Sequence, residues 1–464
     1  MNRVVSAFLG LAAAVLPLAP TAARAADAPS ADARAAAAPA DAPAGRTLTL
    51  DEALRAVQER NRDVEKAKEY QKYVRGKYVE ERSAALPQLS LDLAKYKGDD
   101  ETQKIFAGGG FEFPTQSTTR SADLSVSQAL FTWGQVGAAI RAAKVGLAMA
   151  DDQLRVYRQA AARDVTAAFD DVLLARELAA IAEQNVAQKQ RHLDEARRKH
   201  LLGTATDYDV LAADVALQNA RPEMLAARNA VRTTRDQLRF LLAVPEDVDA
   251  AGALPTTVGA APDYDAALGV ALRERPDLSA QGRTVSVYRE LLTIAKAGDK
   301  PRLDFKGSYG WKDWDIDIAR ARGKTWSAGV YLHFPFFDGL KTAGKVRQAA
   351  SDLSTQEIER RRLEDQISLQ VRTAVNSVRE SGEVVRALEG TVTQAERLLQ
   401  MAEKGFELGV KTRLEVEDAE LNLRSARGNL AKARRDHHVA LVTLQYVTGT
   451  IPVAAPDPAP PAAP

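Results

Sequence analysis

Residues 195–217, EARRKHLLGTATDYDVLAADVAL, recur as residues 401–423, MAEKGFELGVKTRLEVEDAELNL. Gly203, Thr206, Asp209, Val210, Ala213 and Leu217 stand at the places of Gly409, Thr412, Glu415, Val416, Ala419 and Leu423, each pair 206 residues apart (409 − 203). Apolar helical spacing runs up to Phe406, a Gly can close the helix in the left-handed region, a Thr can cap the next helix, and apolar spacing resumes at Val416. Each copy therefore reads as a helix turning back on itself, and a chain that writes the same turn twice is built from two large copies of one unit.

The duplication extends upstream at another offset. Thr49 and Glu52 form a capping box at the head of a helix expected to run to about Ala85, and Asp263 stands at the matching position 214 residues later. Leu54 matches Leu268, Asp63 matches Asp277, Pro87 matches Pro301 and Leu89 matches Leu303. After each proline the apolar period changes from 3.6 to 2, predicting strands over 88–97 and 121–131 in the first copy and 302–311 and 325–337 in the second. That length crosses an outer membrane when the strand is tilted. Polar loops (GDDETQKIFAGGGFEFPTQSTTR and KDWDIDIARARGK) separate the strands, and the shorter second loop accounts for the fall in offset from 214 to 206. The GGG at 108–110 belongs to the first loop and lacks the strand–turn–helix setting of a phosphate loop.

From Phe131 and Phe337 onward the offset holds without a gap, and helices are expected over about 135–202 and 341–408, each roughly 100 Å long at 1.5 Å per residue. Val371, Ala374, Val378, Ser381, Val385, Leu388, Val392, Ala395, Leu399, Ala402 and Phe406 keep heptad spacing, as do Ala419, Leu423, Ala426, Leu430, Ala433, His437, Ala440 and Leu444. Pro222 and its counterpart Gly428 predict a bend in each returning helix.

The remaining segments bound the compartment. Residues 1–25, with Arg3, an apolar run and Ala23-Arg24-Ala25, read as a secretory signal cleaved after Ala25. Residues 26–46 read as a disordered leader, 246–262 as a linker between the copies and 451–464 as a disordered tail, leaving repeats at 47–245 and 263–450 with hairpin tips at 203–209 and 409–415. No later stretch approaches 18 apolar residues, so a membrane crossing must use strands. With no Cys there is no disulfide, thiolate metal site or lipidated N-terminal Cys, and a net charge of +1 gives no sign of a nucleic-acid partner. His437-His438 has no metal-ligand spacing, and no nucleophile, base and orienter set is present, so neither a metal, a cofactor nor catalysis is expected. Trp311, Trp326, Phe334 and Phe336, beside strands in a secreted chain, read as interfacial girdle residues.

Four strands cannot span lipid alone, because their edges would expose unpaired backbone groups, so several chains must pool strands; two would give eight and three would give twelve. A competing reading is a soluble periplasmic coiled-coil scaffold or pump adaptor without a pore, which would not need four matched strands. The order helix, strand, strand, long helix, returning helix, written twice, with its Pro-strand entries (LPQLSLDL, KPRLDF), strand-to-helix joints (SQALFTWGQ, HFPFFDGLK) and hairpin turns (LLGTATDYDV, ELGVKTRLEV), resembles the TolC-type outer-membrane efflux proteins over residues 47 to about 450. The resemblance implies a mainly α fold with a small membrane β-barrel portion, a homotrimer forming a twelve-strand barrel continued by a periplasmic helical tunnel, and a passive exit duct. It implies partners as well: a periplasmic adaptor and an inner-membrane pump, which open the tip at the Gly203, Thr206, Gly409 and Thr412 turns, and outer-membrane lipid. It carries Glu415 and Asp418 onto an acidic ring, and Asp209, facing Lys411 and Phe406, onto latch contacts between hairpins. The family more often has Asp at the place of Glu415 and Arg at that of Lys411, and a Lys pairs as a point charge where Arg offers a fork.

Overall fold

The computed structural model describes residues 46–100, 115–316 and 319–452. The signal segment with Ala25, most of the leader, the GGG loop tip and the tail beyond 452 lie outside the described residues. Among the described residues fourteen elements follow one another: β1 (Arg46–Leu48), α1 (Leu50–Arg60), α2 (Arg62–Ser83), β2 (Gln88–Asp99), β3 (Gln116–Phe131), α3 (Gln135–Leu201), α4 (Asp207–Leu242), β4 (Val248–Ala250), α5 (Tyr264–Glu274), α6 (Pro276–Lys296), β5 (Arg302–Ile316), β6 (Ala319–His333), α7 (Lys341–Glu407) and α8 (Arg413–Thr448). Helices dominate, and α3 and α7 each have 67 residues, about 100 Å. Among the described residues no helix is long and apolar enough to cross a membrane.

The opening helix of each copy differs from expectation: it is broken in two. Asn61 leaves the helical region (φ −60°, ψ 133°), accepts hydrogen bonds from the Asp63 and Val64 amides through its side chain, and donates its own amide to the Leu241 carbonyl at 2.9 Å. Its counterpart 214 positions on, Arg275, has nearly the same backbone (φ −67°, ψ 120°), with Pro276 opening α6. Pro276 disfavours helix at the residue before it, and Asn61 caps a new helix from a compatible position, so two different chemistries cut the helix at one place. The returning helices α4 and α8 run unbroken through Pro222 and Gly428.

The linker is not featureless. β4 pairs in parallel with β1, Arg46 to Val248 and Leu48 to Ala250, so Arg46 belongs to the fold and not to the leader. Leu48, Val248, Ala250 and Leu254 join Val57, Val165, Phe169, Val172 and Leu238 in a buried cluster around α3. Farther along, the Gly259 amide donates to His437 Nε2 at 3.0 Å, which leaves the His437 proton on Nδ1, 2.9 Å from Ser381 Oγ. The linker is thereby tied to the heptad seam of α7 and α8, where Val385, Leu430 and Ala433 form one buried layer and Ala395, Leu423 and Ala426 the next.

The four long strands form one antiparallel sheet in the order β2-β3-β5-β6. They outrun the predicted segments at the hairpin end, because there the leucine-bearing face turns charged while Tyr96 and Trp314 sit on the other, so the period-2 signal disappears while the ladder continues. At the other end β6 stops at His333, paired with Arg302, short of the predicted 337. Pro301 and Pro335 flank that pair and offer no amide, so Phe334 and Phe336 sit past the strand. Each joint to a long helix passes through two consecutive left-handed residues, Trp133-Gly134 and Gly339-Leu340, with the glycine on opposite sides of the matched pair.

Helix packing repeats the strand order. α2 packs on α3, α3 on α6 and α6 on α7, and each of these helices is continuous in chain with β2, β3, β5 and β6 respectively. Arg141 clamps Glu290 with two hydrogen bonds, 3.0 and 2.8 Å, across the α3–α6 boundary where the copies meet. Toward the hairpin turns the order becomes α4, α3, α8, α7. The result is a single open wall, one strand above one helix, with β2, α2 and α4 along one edge and β6 and α7 along the other.

Replacing Asn61 with Ala removes a cap and leaves the Leu241 carbonyl without its donor, so a loss of about 2 kcal/mol is expected in denaturant unfolding, with the midpoint falling and the slope unchanged.

Candidate functional site: the hairpin tips and the sheet faces

The first tip is shaped by Gly203 at φ 74°, where the Gly203 amide returns to the His200 carbonyl and the Thr204 amide to that of Lys199, both 2.9 Å. Thr206 then opens α4 with a reciprocal cap: the Asp209 amide donates to Thr206 Oγ1 and the Thr206 amide to Asp209 Oδ2 at 2.8 Å. The second tip repeats this with Gly409 at φ 75°, Thr412 and Glu415, whose Oε2 accepts the Thr412 amide at 2.8 Å. The tips differ in what fills them. Lys411 lies over Gly405, where any side chain would collide with it, whereas the first copy has Lys199 and Ala205 at those places.

The acids expected to guard the entrance have separate local roles. Asp209 is held below its usual carboxylate range, first by the Thr206 amide. Glu415 is lowered as well, first by Lys411, whose Nζ stands 2.5 Å from Glu415 Oε1. In the single chain Lys411 therefore pairs with Glu415 and not with Asp209, while Phe406 receives Lys199 over its ring at 5.5 Å. Asp418 is exposed and makes no hydrogen bond or ion pair among the described residues, so of the two acids it alone has no cationic partner there. Asn422, Ser425 and Asn429 continue from it along an exposed stripe of α8.

The tie between the two hairpins of one chain lies higher and was not foreseen. Glu420 on α8, 8% exposed, accepts from Lys189 Nζ at 3.1 Å and faces His192 Nε2 at 3.2 Å, both on α3. Burial pushes its pKa up, but His192 and Lys189 together outweigh that and hold it below the ordinary value. Its counterpart in the first copy is Asp214, with Ala395 and Leu398 at the places of Lys189 and His192, so the repeat offers no second tie of this kind. Nothing in the heptad pattern marks a charge that will be buried by a neighbouring hairpin. His437 and His438 are also accounted for: His437 holds the linker, and His438 Nδ1 lies 2.6 Å from Asp170 Oδ2.

At the far end the sheet separates its chemistry by face. Register places Leu89, Val126, Leu124, Phe305, Tyr309, Trp311, Trp326, Val330 and Leu332 on one side. Leu89, Leu91, Leu93, Trp326 and Leu332 are 64–76% exposed there. The opposite side carries a cross-strand row of four serines, Ser90, Ser125, Ser308 and Ser327, hydrogen-bonded in pairs at 2.7 and 2.8 Å, and above it Asp92 beside Asp123. From Leu303 to Trp311 the apolar face runs nine residues, about 27 Å along the strand and roughly 20 Å along the normal after a tilt of about 40°, the length of a short membrane strand. Trp311 and Trp326 lie at its upper border, and Phe334 and Phe336 at the joint below, the latter 89% exposed.

The sequence matches the family model for Outer membrane efflux protein over residues 53–244 and 267–450. It is 26% identical to outer membrane protein TolC of Vibrio cholerae over 383 residues, covering 80% of this chain and 83% of that one. It is 25% identical to the alkaline protease secretion protein AprF of Pseudomonas aeruginosa over 378 residues, covering 80% and 78%. The fold superposes on the crystal structure of the Campylobacter jejuni CmeC outer membrane channel with a TM-score of 0.76 at 14% identity, over 88% of this chain and 87% of that one.

Two outcomes are expected at the tips. Both cap carboxyls are depressed, so the stability they lend is complete above the ordinary values of 3.8 and 4.5 and is lost as pH falls through the lower folded values. Protection factors of the Thr206 and Thr412 amides, which the two carboxylates accept, should be equal at pH 7 and 5 once the intrinsic pH dependence of exchange is divided out, and should fall below about pH 4; a fall already at pH 6 would contradict the cap assignment. Glu420→Ala leaves the Lys189 charge half-buried without its partner and should cost on the order of 3 kcal/mol locally, read as faster exchange in the facing segments of α3 and α8.

Proposed function

Since this chain belongs to the outer membrane efflux protein family, we propose that it is the outer-membrane duct of a tripartite efflux or secretion assembly. Three copies pool their strands into one barrel, and their helical walls continue it as a tunnel into the periplasm. The observation that carries the reading is the open wall in which each of the four long strands stands on its own helix. A wall with two unlike edges joins copies head to tail, and such joins close when the rotation per copy allows.

Further support comes from what the edges expose. Leu211, Val215 and Leu225 on α4, and Leu369, Leu398 and Met401 on α7, are 48–67% exposed, on the two helices that border the wall. Stripes of this kind mark helix contacts with another chain. A soluble scaffold or adaptor has no use for a sheet face of leucine, tyrosine and tryptophan.

In this reading the signal segment is removed after Ala25, the strands cross the outer membrane with Trp311, Trp326, Phe334 and Phe336 at its borders, and the tips at Gly203, Thr206, Gly409 and Thr412 meet a periplasmic adaptor and an inner-membrane pump. Asp418 lines the narrowest ring, where three like charges attract cations. Glu415, screened by Lys411, contributes less than Asp418. Asp209, Lys411 and Phe406 hold neighbouring hairpins together, and Glu420 with Lys189 and His192 holds the two hairpins of each copy. Relatives are named for efflux and for protease secretion, and in this reading the pump selects the cargo.

Purified protein is expected to run as a trimer and to conduct in planar bilayers with cation preference. Asp418→Ala should reduce that preference more than Glu415→Ala, and unchanged selectivity in both would remove the ring. Leu211→Glu combined with Leu398→Glu should leave folded protein that no longer assembles or conducts; intact trimers would contradict the assigned edges.

A further inference from the structure

We propose that the outward face of the sheet, at its hairpin end, binds phosphate-bearing lipid headgroups of the outer leaflet; this rests on the membrane reading above. The row next to Leu93, Ala122 and Trp311 on that face is Lys95, Arg120, Asp313 and Arg322, and the row beyond is Lys97, Thr118, Asp315 and Arg320, with Lys324 beside Trp311. Six cations thus meet two carboxylates at the border of the apolar band, where headgroups lie.

The cations are arranged and not merely solvated. Asp313, 1% exposed, takes both prongs of Arg320, at 2.9 and 2.6 Å, and a third hydrogen bond from Arg120 at 3.1 Å. Arg322 lies over the Trp311 ring, 4.9 Å from its centre. A buried carboxylate and an aromatic face therefore hold three guanidinium groups in place, while most of their five N–H donors each stay unspent. A phosphate accepts from such forks in pairs, and a net excess of positive charge repels the cationic end of a zwitterionic headgroup.

Simple solvation of the exterior hairpins would charge both faces alike. The opposite face at the same height instead carries Tyr96, Thr119, Trp314 and Ala321 in one row and Ala94, Ser121, Lys312 and Gly323 in the other, a single cation against six. The basic residues also concentrate on the two open edges, Lys95 and Lys97 on β2 and Arg320, Arg322 and Lys324 on β6. Barrel closure makes those strands neighbours, so each seam between copies assembles one complete basic cluster.

The test uses the full chain in phosphatidylcholine nanodiscs doped with a diphosphorylated glycolipid or with its dephosphorylated form, and counts glycolipid retained per trimer by native mass spectrometry. The wild type is expected to retain the phosphorylated form selectively. R120Q/R320Q/R322Q should weaken retention roughly a hundredfold, about fivefold for each cation near the headgroups. Because Asp313 loses its partners in that variant, K95Q/K97Q/K324Q, which keeps them, serves as the second: it should insert and conduct as the wild type does and lose retention to a similar degree. Equal retention of both glycolipids by the wild type, or wild-type retention in the second variant, overturns the site. Failure of the wild type to insert into any disc overturns the channel reading itself, and the site with it.

Discussion

Lipid offers no hydrogen-bond partners, so the outer edges of β2 and β6 cannot remain open where the apolar face of the sheet meets a membrane. Every larger feature follows from satisfying those edges. Pairing β6 of one copy with β2 of the next uses the same geometry that joins β3 to β5 inside one chain, where the first repeat meets the second. The internal seam is thus a template for the external one, and a duplicated chain needs half as many copies to close as a single repeat would.

The helices transmit this arrangement away from the membrane. Because α2, α3, α6 and α7 stand in the order of their strands, closing the sheet closes the helical wall as well. The wall is then finished by local devices of modest size: Ala-rich seams that let helices approach, the Arg141–Glu290 clamp at the repeat boundary, and a linker fixed through Gly259 to a neutral His437. Burial, together with the charges of His438 and Arg386, pushes His437 below its ordinary range, consistent with its accepting a backbone amide. Glu420 of the second repeat meets Lys189 and His192 of the first within one chain, while the counterparts of the three are Asp214, Ala395 and Leu398, so a hairpin boundary formed between chains would differ in chemistry from the one inside a chain.

Much of this was legible in the sequence because repetition doubles the signal. The long helices began and ended within a residue of expectation, since Gly203, Gly409 and the Thr caps state their turns in local chemistry. The four strands were found from their apolar half and missed in the half where the leucine-bearing face turns charged and the alternation is lost. The break at Asn61 and Arg275 was hidden because the apolar period passes through it, and the β1–β4 ladder because three-residue strands carry no period. At the tips, the acids were visible but not their partners: a Thr three residues before an acid writes a capping box as plainly as any gate. Glu420 was out of reach, since its burial depends on a helix more than two hundred residues away.

The chain contains no cysteine, so introduced pairs report contacts without background. The most direct measurement is an oxidation scan in which one cysteine is placed on β2 between Leu89 and Leu93 and another on β6 between Ala328 and Leu332. The closed-barrel account predicts that one register yields covalently closed trimers from intact outer membranes, resolved on a denaturing gel as a single species that reduction returns to monomer. Absence of cross-linked species at every register, or closure of β2 onto β6 within one chain, would contradict it.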